Sequence, residues 1–242
     1  MAPKNAKNFK TKAKRVSKSS SEPVEEFDHT RFHILQNSQK FESLVKYWSI
    51  WGERLINPDE LDYFVKHNLE SRNLLPLCND LVSLAADLIR EFYSNLSTHF
   101  ASSCGHYLTT WIRCEEFQII KQIVYGALHV PLPHRPTYPY TETPPIDDVM
   151  TLLCGRTVTW GTKPRLNSRE LTELNYLLFR IAYHNIFPIF HVHTFPMDRC
   201  VPLYALITDG FIYFSSLFIQ TIVEVHKSKS RKQSLYFPIF IP

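Results

Sequence analysis

Glycine is scarce in this chain, with 6 among 242 residues. That scarcity argues against a glycine-rich phosphate-binding loop and against the many tight turns of a β-sandwich. No cysteine pair stands at C-x-x-C spacing among Cys78, Cys104, Cys114, Cys154 and Cys200. An odd, scattered set of this kind reads as free thiols of a reducing compartment, and no closely spaced zinc knuckle is present. No acid occurs in residues 1–20, and no apolar stretch follows the start, so a secretory signal is not expected. A G-x-S-x-G elbow is missing as well, which removes the commonest serine-hydrolase signature.

What is present falls into two parts. Residues 1–26 hold Lys4, Lys7, Lys10, Lys12, Lys14, Arg15 and Lys18, with no apolar periodicity, and read as a disordered basic tail. All seven lie in residues 1–20, which hold no acid; taking them from 27 basic residues leaves 20 against 23 acids, so residues 21–242 carry about −3. The tail is the candidate nucleic-acid contact, binding polyanions without sequence preference. Its run "KTKAKR" at 10–15 would also serve as a nuclear-import signal, which favours the nucleus over the cytoplasm.

From Phe27 the pattern turns mainly helical. Phe41, Leu44, Val45 and Trp48 recur at helical spacing, and "NPDELDYFVKHN" opens with Asn57 as a cap and Pro58 in the first turn. "NDLVSLAADLIREFYSNL" reads as an amphipathic helix with Leu81, Leu84, Ala85, Leu88 and Phe92 on one stripe. "CGHYLTTWI" is expected to form a small β-hairpin near 104–113, and "EEFQIIKQIVYGAL" to return to helix. Residues 130–145 are too proline-rich for anything but an irregular loop. A short helix over "PPIDDVMTLLCG" should stop at Gly155. Asn167 and Glu170 stand at capping-box spacing before a helix whose buried face is Leu171, Leu174, Leu178 and Ile181. The apolar stretch 200–225 is interrupted by Pro202, Asp209 and Gly210, so two buried helices are expected there, not a membrane span of roughly 20 residues. The fold class is therefore mainly α: a single helical domain, 27–242, with a small hairpin.

Several blocks carry a resemblance. "LIREFYSNL", with Arg90, Glu91, Phe92 and Tyr93, is similar to the "REFYANL" block of the putative plant transposon protein domain family. "LLCG" with Trp160 resembles its "LC…W" element, and "FPIFHVHTFPMDRCVPLYALITDG" places Pro188, His191, Arg199, Leu203, Tyr204, Ala205 and Gly210 at matching positions. "LYFPIFI" resembles the family's closing stretch. The resemblance spans roughly 30–242 and implies a transposable-element origin with no defined activity. The family pattern continues past the position of Pro242, so this copy reads as truncated, and its "VRGK" piece survives only as "SCGHYL".

The residues with chemical potential point away from catalysis. His184, His191, His193 and Cys200 lack a second close pair to complete a tetrahedral metal site, and read as a turn between helices. Asp147, Asp148, Glu115 and Glu116 read as helix-start and helix-face acids, not as a carboxylate triad for two Mg²⁺ ions. Arg90 with Glu91, and Arg199 with Asp198, are candidates for buried or half-buried pairs that orient helix 88–96 against the "MDRC" turn. The alternative is that Arg90 and Arg199 contact an anion. No catalytic residue, metal or cofactor, small-molecule substrate or membrane segment is inferred. The expected function is a non-enzymatic interaction or structural module, associated with nucleic acid through its tail or with other element-derived proteins. The competing reading is a nuclease- or integrase-like enzyme of element mobilisation.

Overall fold

The computed structural model describes residues 26–52, 54–79, 85–101, 105–130, 133, 136–157, 165–188, 193–208 and 210–236. Tail residues 4–18, together with Leu81, Leu84, Cys104, Trp160, His191 and Asp209, lie outside them.

In chain order the described elements are α1 (Leu35–Ser43), β1 (Ser49–Ile50), α2 (Tyr63–Glu70), α3 (Pro76–Asn79) and α4 (Ala86–Asn95). The strands β2 (Ser97–Ala101), β3 (Gly105–Ile112) and β4 (Glu115–Ile119) follow, and then α5 (Lys121–Leu128) and α6 (Ile146–Cys154). The last third holds β5 (Arg165–Asn167), α7 (Glu173–Ile181), β6 (Thr194–Pro196), α8 (Met197–Ile207), α9 (Phe214–Lys227) and β7 (Ser234–Leu235). The mainly helical expectation holds. The single hairpin does not, since the described residues contain three small sheets: β2-β3-β4 antiparallel, β5-β6 antiparallel and β1-β7 parallel.

The sheet β2-β3-β4 corrects the sequence reading at two places. It extends to Ser97 and Ile119, so "EEFQI" is a strand and the helix begins only at Lys121. Strand β3 buries alternate residues Leu108, Thr110 and Ile112, the period-2 pattern of a half-covered strand. Ile112 pairs with Glu115 across a two-residue turn in which Arg113 (φ 49°) and Cys114 (φ 71°) both adopt the left-handed region. Such a turn matches the twist of its strands but ordinarily uses Asn-Gly, so its sequence signal is missing here.

Helix starts follow a device used twice. Asn57 Oδ1 accepts from the Asp59 amide at 3.1 Å and opens a 3₁₀ turn, Pro58–Glu60; Asp62 then caps α2 by accepting from the Phe64 amide at 2.8 Å. Likewise Asn167 accepts from the Arg169 amide at 3.0 Å over Ser168–Glu170, and Thr172 caps α7 through the Asn175 amide at 3.3 Å. Both stretches read N-x-x-E-L followed by Asp or Thr, and α2 and α7 pack against each other. The start signals at Asn57 and Asn167 were thus real, but each opens a 3₁₀ turn one step before the α-helix. Gly155 ends α6 with φ 67° as expected. Leu174 is exposed, and Asn175 and Phe179 take its place on the buried face of α7. Ala85 is exposed and Leu88 only half-buried, whereas Ile89, Phe92, Tyr93 and Leu96 form the buried face of α4.

A continuous cluster of buried side chains runs from Val45 and Trp48 through Phe92, Leu153 and Phe179 to Leu206, Ile222 and Tyr236. The expected helix pair 200–225 is α8 and α9, with Pro202 inside α8. No helix among the described residues is long and apolar enough to cross a membrane. The proline-rich segment forms no helix or strand over its described residues, and it is pinned where the Thr137 amide donates to Phe211 O at 2.8 Å and the Tyr213 amide to Tyr138 O at 2.9 Å.

The left-handed turn gives a direct prediction. Cys114 is exposed, and its thiol reaches only Thr30 O at 3.9 Å. Replacing Cys114 by Gly removes a side chain from a φ of 71° and should stabilise the fold by about 1 kcal/mol, read as a raised urea midpoint with unchanged slope.

Candidate functional site: a buried polar hub and a basic-rimmed cleft

The block that carries the family resemblance lies on α4, and nearly all of it points inward. Phe92 and Tyr93 are fully buried, and the Tyr93 hydroxyl donates to Tyr236 O at 2.8 Å, tying α4 to the C-terminal segment. Glu91 is also fully buried. Its Oε1 accepts from Arg31 Nε at 2.6 Å, and Arg113 Nε lies 3.2 Å from Oε2. The second contact is an ion pair off the line of a hydrogen bond, so Arg31 is the stronger partner. Arg31 in turn stacks its guanidinium 5.0 Å from the Phe41 ring.

One turn on, Asn95 completes the hub. Its Oδ1 accepts from the His33 amide and from Asn37 Nδ2, each at 3.1 Å. Its Nδ2 faces three carbonyls, Arg31 O at 2.7 Å, Trp111 O at 2.8 Å and Glu91 O at 3.0 Å, with two hydrogens to share. Residues 31–37, α4 and the end of β3 therefore meet on two side chains. Asn95 belongs to an Asn-Leu-Ser sequon, but at 3% exposure its amide is committed to the interior.

The expected pairing of Arg90 with Glu91 is not formed. Arg90 instead lies 3.8 Å from Asp87 on its own helix, because residues 90 and 91 point about 100° apart on a helix while residues three apart share a face. Arg199 keeps Asp198 only at 3.9 Å and meets Glu224 of α9 at 3.6 Å. Tyr204 is half-buried, its ring 6.4 Å from that of Tyr140. Gly210 is required by close approach, since a Cβ there would stand 2.9 Å from Ala205 O; its own carbonyl accepts from Arg72 Nε at 3.4 Å. Pro188 and Arg199 both line a cleft of about 640 Å³ between the β5-β6 pair, α8–α9 and the C-terminal segment. The cleft's charged rim is Arg165, Arg199 and Lys227 against Glu224.

The histidine and cysteine positions are engaged structurally. His184 Nε2 accepts from Arg54 Nε at 3.0 Å, and burial, with Arg54 beside it, pulls the imidazole below its usual range. Cys200 is buried against Pro196 O at 3.8 Å, and burial pushes its thiol up to about 12. His193 is exposed, and its carbonyl accepts from the Ser168 amide at 2.8 Å. Among the described residues no three His, Cys, Asp or Glu side chains group as metal ligands. Asp147 and Asp148 occupy the first turn of α6, as expected. Glu115 and Glu116 correct the expectation, being exposed on strand β4 and not on a helix.

A second polar contact went unread in the sequence. Lys40 Nζ lies 2.8 Å from His226 Nδ1 and 3.2 Å from Tyr93 O, joining α1 to α9 over α4. Burial lowers Lys40 to about 8 and, with Lys40 beside it, His226 to about 4. The imidazole is thus neutral near pH 7, and its Nδ1 accepts a hydrogen bond from the ammonium.

Comparison with known proteins bears on this arrangement. Residues 70–242 match the model of a family described as the putative plant retrotransposon-related domain. A search of curated proteins and a search of solved structures each gave no match.

Two predictions test the hub and the Lys40–His226 contact. Asn95→Ala leaves several buried amides and carbonyls unpartnered and should cost about 3–5 kcal/mol in chemical unfolding. Because His226 binds its proton more weakly folded than unfolded, the unfolded chain takes up the extra proton between pH 6.5 and about 4. Stability therefore falls as pH falls through that window. Urea unfolding at about pH 7 and pH 4.5 should show a loss smaller by roughly 2 kcal/mol in His226→Gln.

Proposed function

The chain belongs to the putative plant retrotransposon-related domain family, and from that premise we propose that it works as a non-catalytic binding module, associating with nucleic acid through its basic arm. The observation that carries this reading is the charge partition. Seven cations and no acid occupy residues 1–20, against 20 cations and 23 acids in all that follows. Such an arm neutralises phosphates and releases counterions without needing a shaped surface. The run at 10–15 is also the basis for placing the module in the nucleus.

The hub supports a binding role over chemistry. Glu91, Phe92 and Tyr93 are spent on the interior, each fully buried, so the most characteristic block of the sequence serves cohesion. The acids that a phosphoryl-transfer enzyme would recruit stand on separate elements, at the start of α6 and, exposed, at the start of β4. Phosphoryl transfer through two metal ions needs carboxylates converging within a few ångströms.

Replacing all seven arm cations by Ser in the full chain should weaken DNA and RNA binding at about 50 mM salt by at least tenfold and flatten the salt dependence. The intact chain should lose about 10³ in affinity between roughly 50 and 200 mM salt. Unchanged affinity and slope in the arm variant, or cleavage of DNA or RNA by the intact chain with Mg²⁺, would refute the reading.

A further inference from the structure

The folded body, although 20 cations and 20 acids balance over residues 27–242, concentrates charge at one place. Lys227, Lys229, Arg231 and Lys232 fall within six residues that contain no acid. All four are exposed, and none forms an ion pair among the described residues. We propose that this loop, with Tyr47 and the adjoining cleft, is a binding site for single-stranded nucleic acid, separate from the arm. The inference shares with the arm reading only the class of partner.

The loop is built, not slack. It runs from the end of α9 to β7, and its backbone turns on its own serines: the Ser230 amide donates to Ser228 Oγ at 3.3 Å and the Lys232 amide to Ser230 Oγ at 3.1 Å. The indole of Trp48, itself 1% exposed, donates to Ser230 O at 2.8 Å, and the Ser49 amide to Gln233 O at 3.1 Å. Cations are thus presented on a fixed backbone, which lowers the ordering entropy a bound strand must overcome.

An aromatic face stands beside them. Tyr47 is 57% exposed, with Arg231 Cζ 5.6 Å and Lys46 Nζ 5.2 Å from its ring centroid. Lys46 is partly neutralised by Glu42, so Arg231 is the freer of the two. An exposed ring flanked by cations can stack an unpaired base while the charges hold the neighbouring phosphates. A duplex, with its bases already stacked on each other, has none to offer.

The cleft continues the track. Lys227, Ser228 and Gln233 form one side of its roughly 640 Å³ volume, with Arg165 and Arg199 also in its lining. The nearest acid to Arg199 is Glu224 at 3.6 Å, beyond a close hydrogen bond, so the guanidinium can turn to a phosphate. The volume falls within the range that accepts a ligand of nucleotide size.

The test uses the full chain with the seven arm cations replaced by Ser as background, and follows the anisotropy of labelled oligothymidylate and of its duplex with oligoadenylate. The background protein should bind the single strand more tightly than the duplex. Adding Lys229→Gln, Arg231→Gln and Lys232→Gln should weaken single-strand binding at least tenfold and lower the salt slope by about 2. Tyr47→Ala should weaken it about tenfold with the slope unchanged. Circular dichroism melts of each variant confirm that an exposed substitution has left the fold intact. No binding by the arm-neutralised chain overturns the loop site while leaving the arm reading standing. Binding unaffected by the loop triple or by Tyr47→Ala, equal affinity for duplex, or equal affinity for anionic vesicles, overturns it too.

Discussion

A carboxylate and a carboxamide one helical turn apart, Glu91 and Asn95, set the terms on which the rest of this structure is assembled. A buried carboxylate is costly unless its charge is met, and a buried amide is costly unless its donors and acceptor are used. Glu91 meets its charge with Arg31 from the segment before α1 and Arg113 from the turn after β3. Asn95 closes on backbone from the same two regions. The two side chains favour one relative placement of residues 31–37, α4 and the sheet, the one in which the Glu91 charge is met and the Asn95 carboxamide is hydrogen-bonded on both of its atoms. They also explain how an Arg-Cys pair is held with positive φ at the β3-β4 turn: Arg113 is anchored by the ion pair it makes from that conformation.

The same physics recurs elsewhere in milder form. Asn185, 2% exposed, accepts from the Arg54 amide and donates to the carbonyls of Arg54 and Leu77. Asn175, 5% exposed, donates to Leu152 O and Leu153 O at the end of α6, where helix carbonyls lack partners. In each case a buried asparagine supplies to an irregular segment the hydrogen bonds that a strand or helix would have supplied to itself. The short helices and three small sheets of the described residues leave many such segments between them. Its cohesion depends on carboxamides as well as on apolar area, and this also suits a chain poor in glycine, where loops cannot simply turn tightly.

Helix existence was legible because it rests on local chemistry. Caps at Asn57 and Asn167, the stop at Gly155 and the break between α8 and α9 all follow from neighbouring residues. What was not legible depends on contacts distant in sequence. Nothing in "IRCEEF" announces a tight turn, and the helical periodicity of the following residues masks strand β4. Arg90 and Glu91 are adjacent in sequence, which invited a pairing that helix geometry forbids, while the true partners of Glu91 lie 60 residues before it and 22 after it. The paired β1 and β7, with two residues each, carry no pattern at all. The basic loop 227–232 escaped notice because the tail dominates the charge count and the acids elsewhere cancel it.

The direction in which the characteristic residues point constrains where function can be. Glu91, Phe92 and Tyr93 are inward, and Gly210 is fixed by its approach to Ala205. Residues spent on cohesion in this way are not available at the surface, so any contact with a partner would fall to what the fold exposes. Here Arg199 is the member of that set with a half-exposed charge, and it faces a cleft whose other cations, Arg165 and Lys227, come from distant parts of the chain. Lys40 and His226 then join α1 to α9 close to where α9 runs into the basic loop. The Lys40–His226 contact, with the bonds from Trp48 and Ser49 to the loop that follows, thereby fixes where the exposed cations at the end of α9 stand.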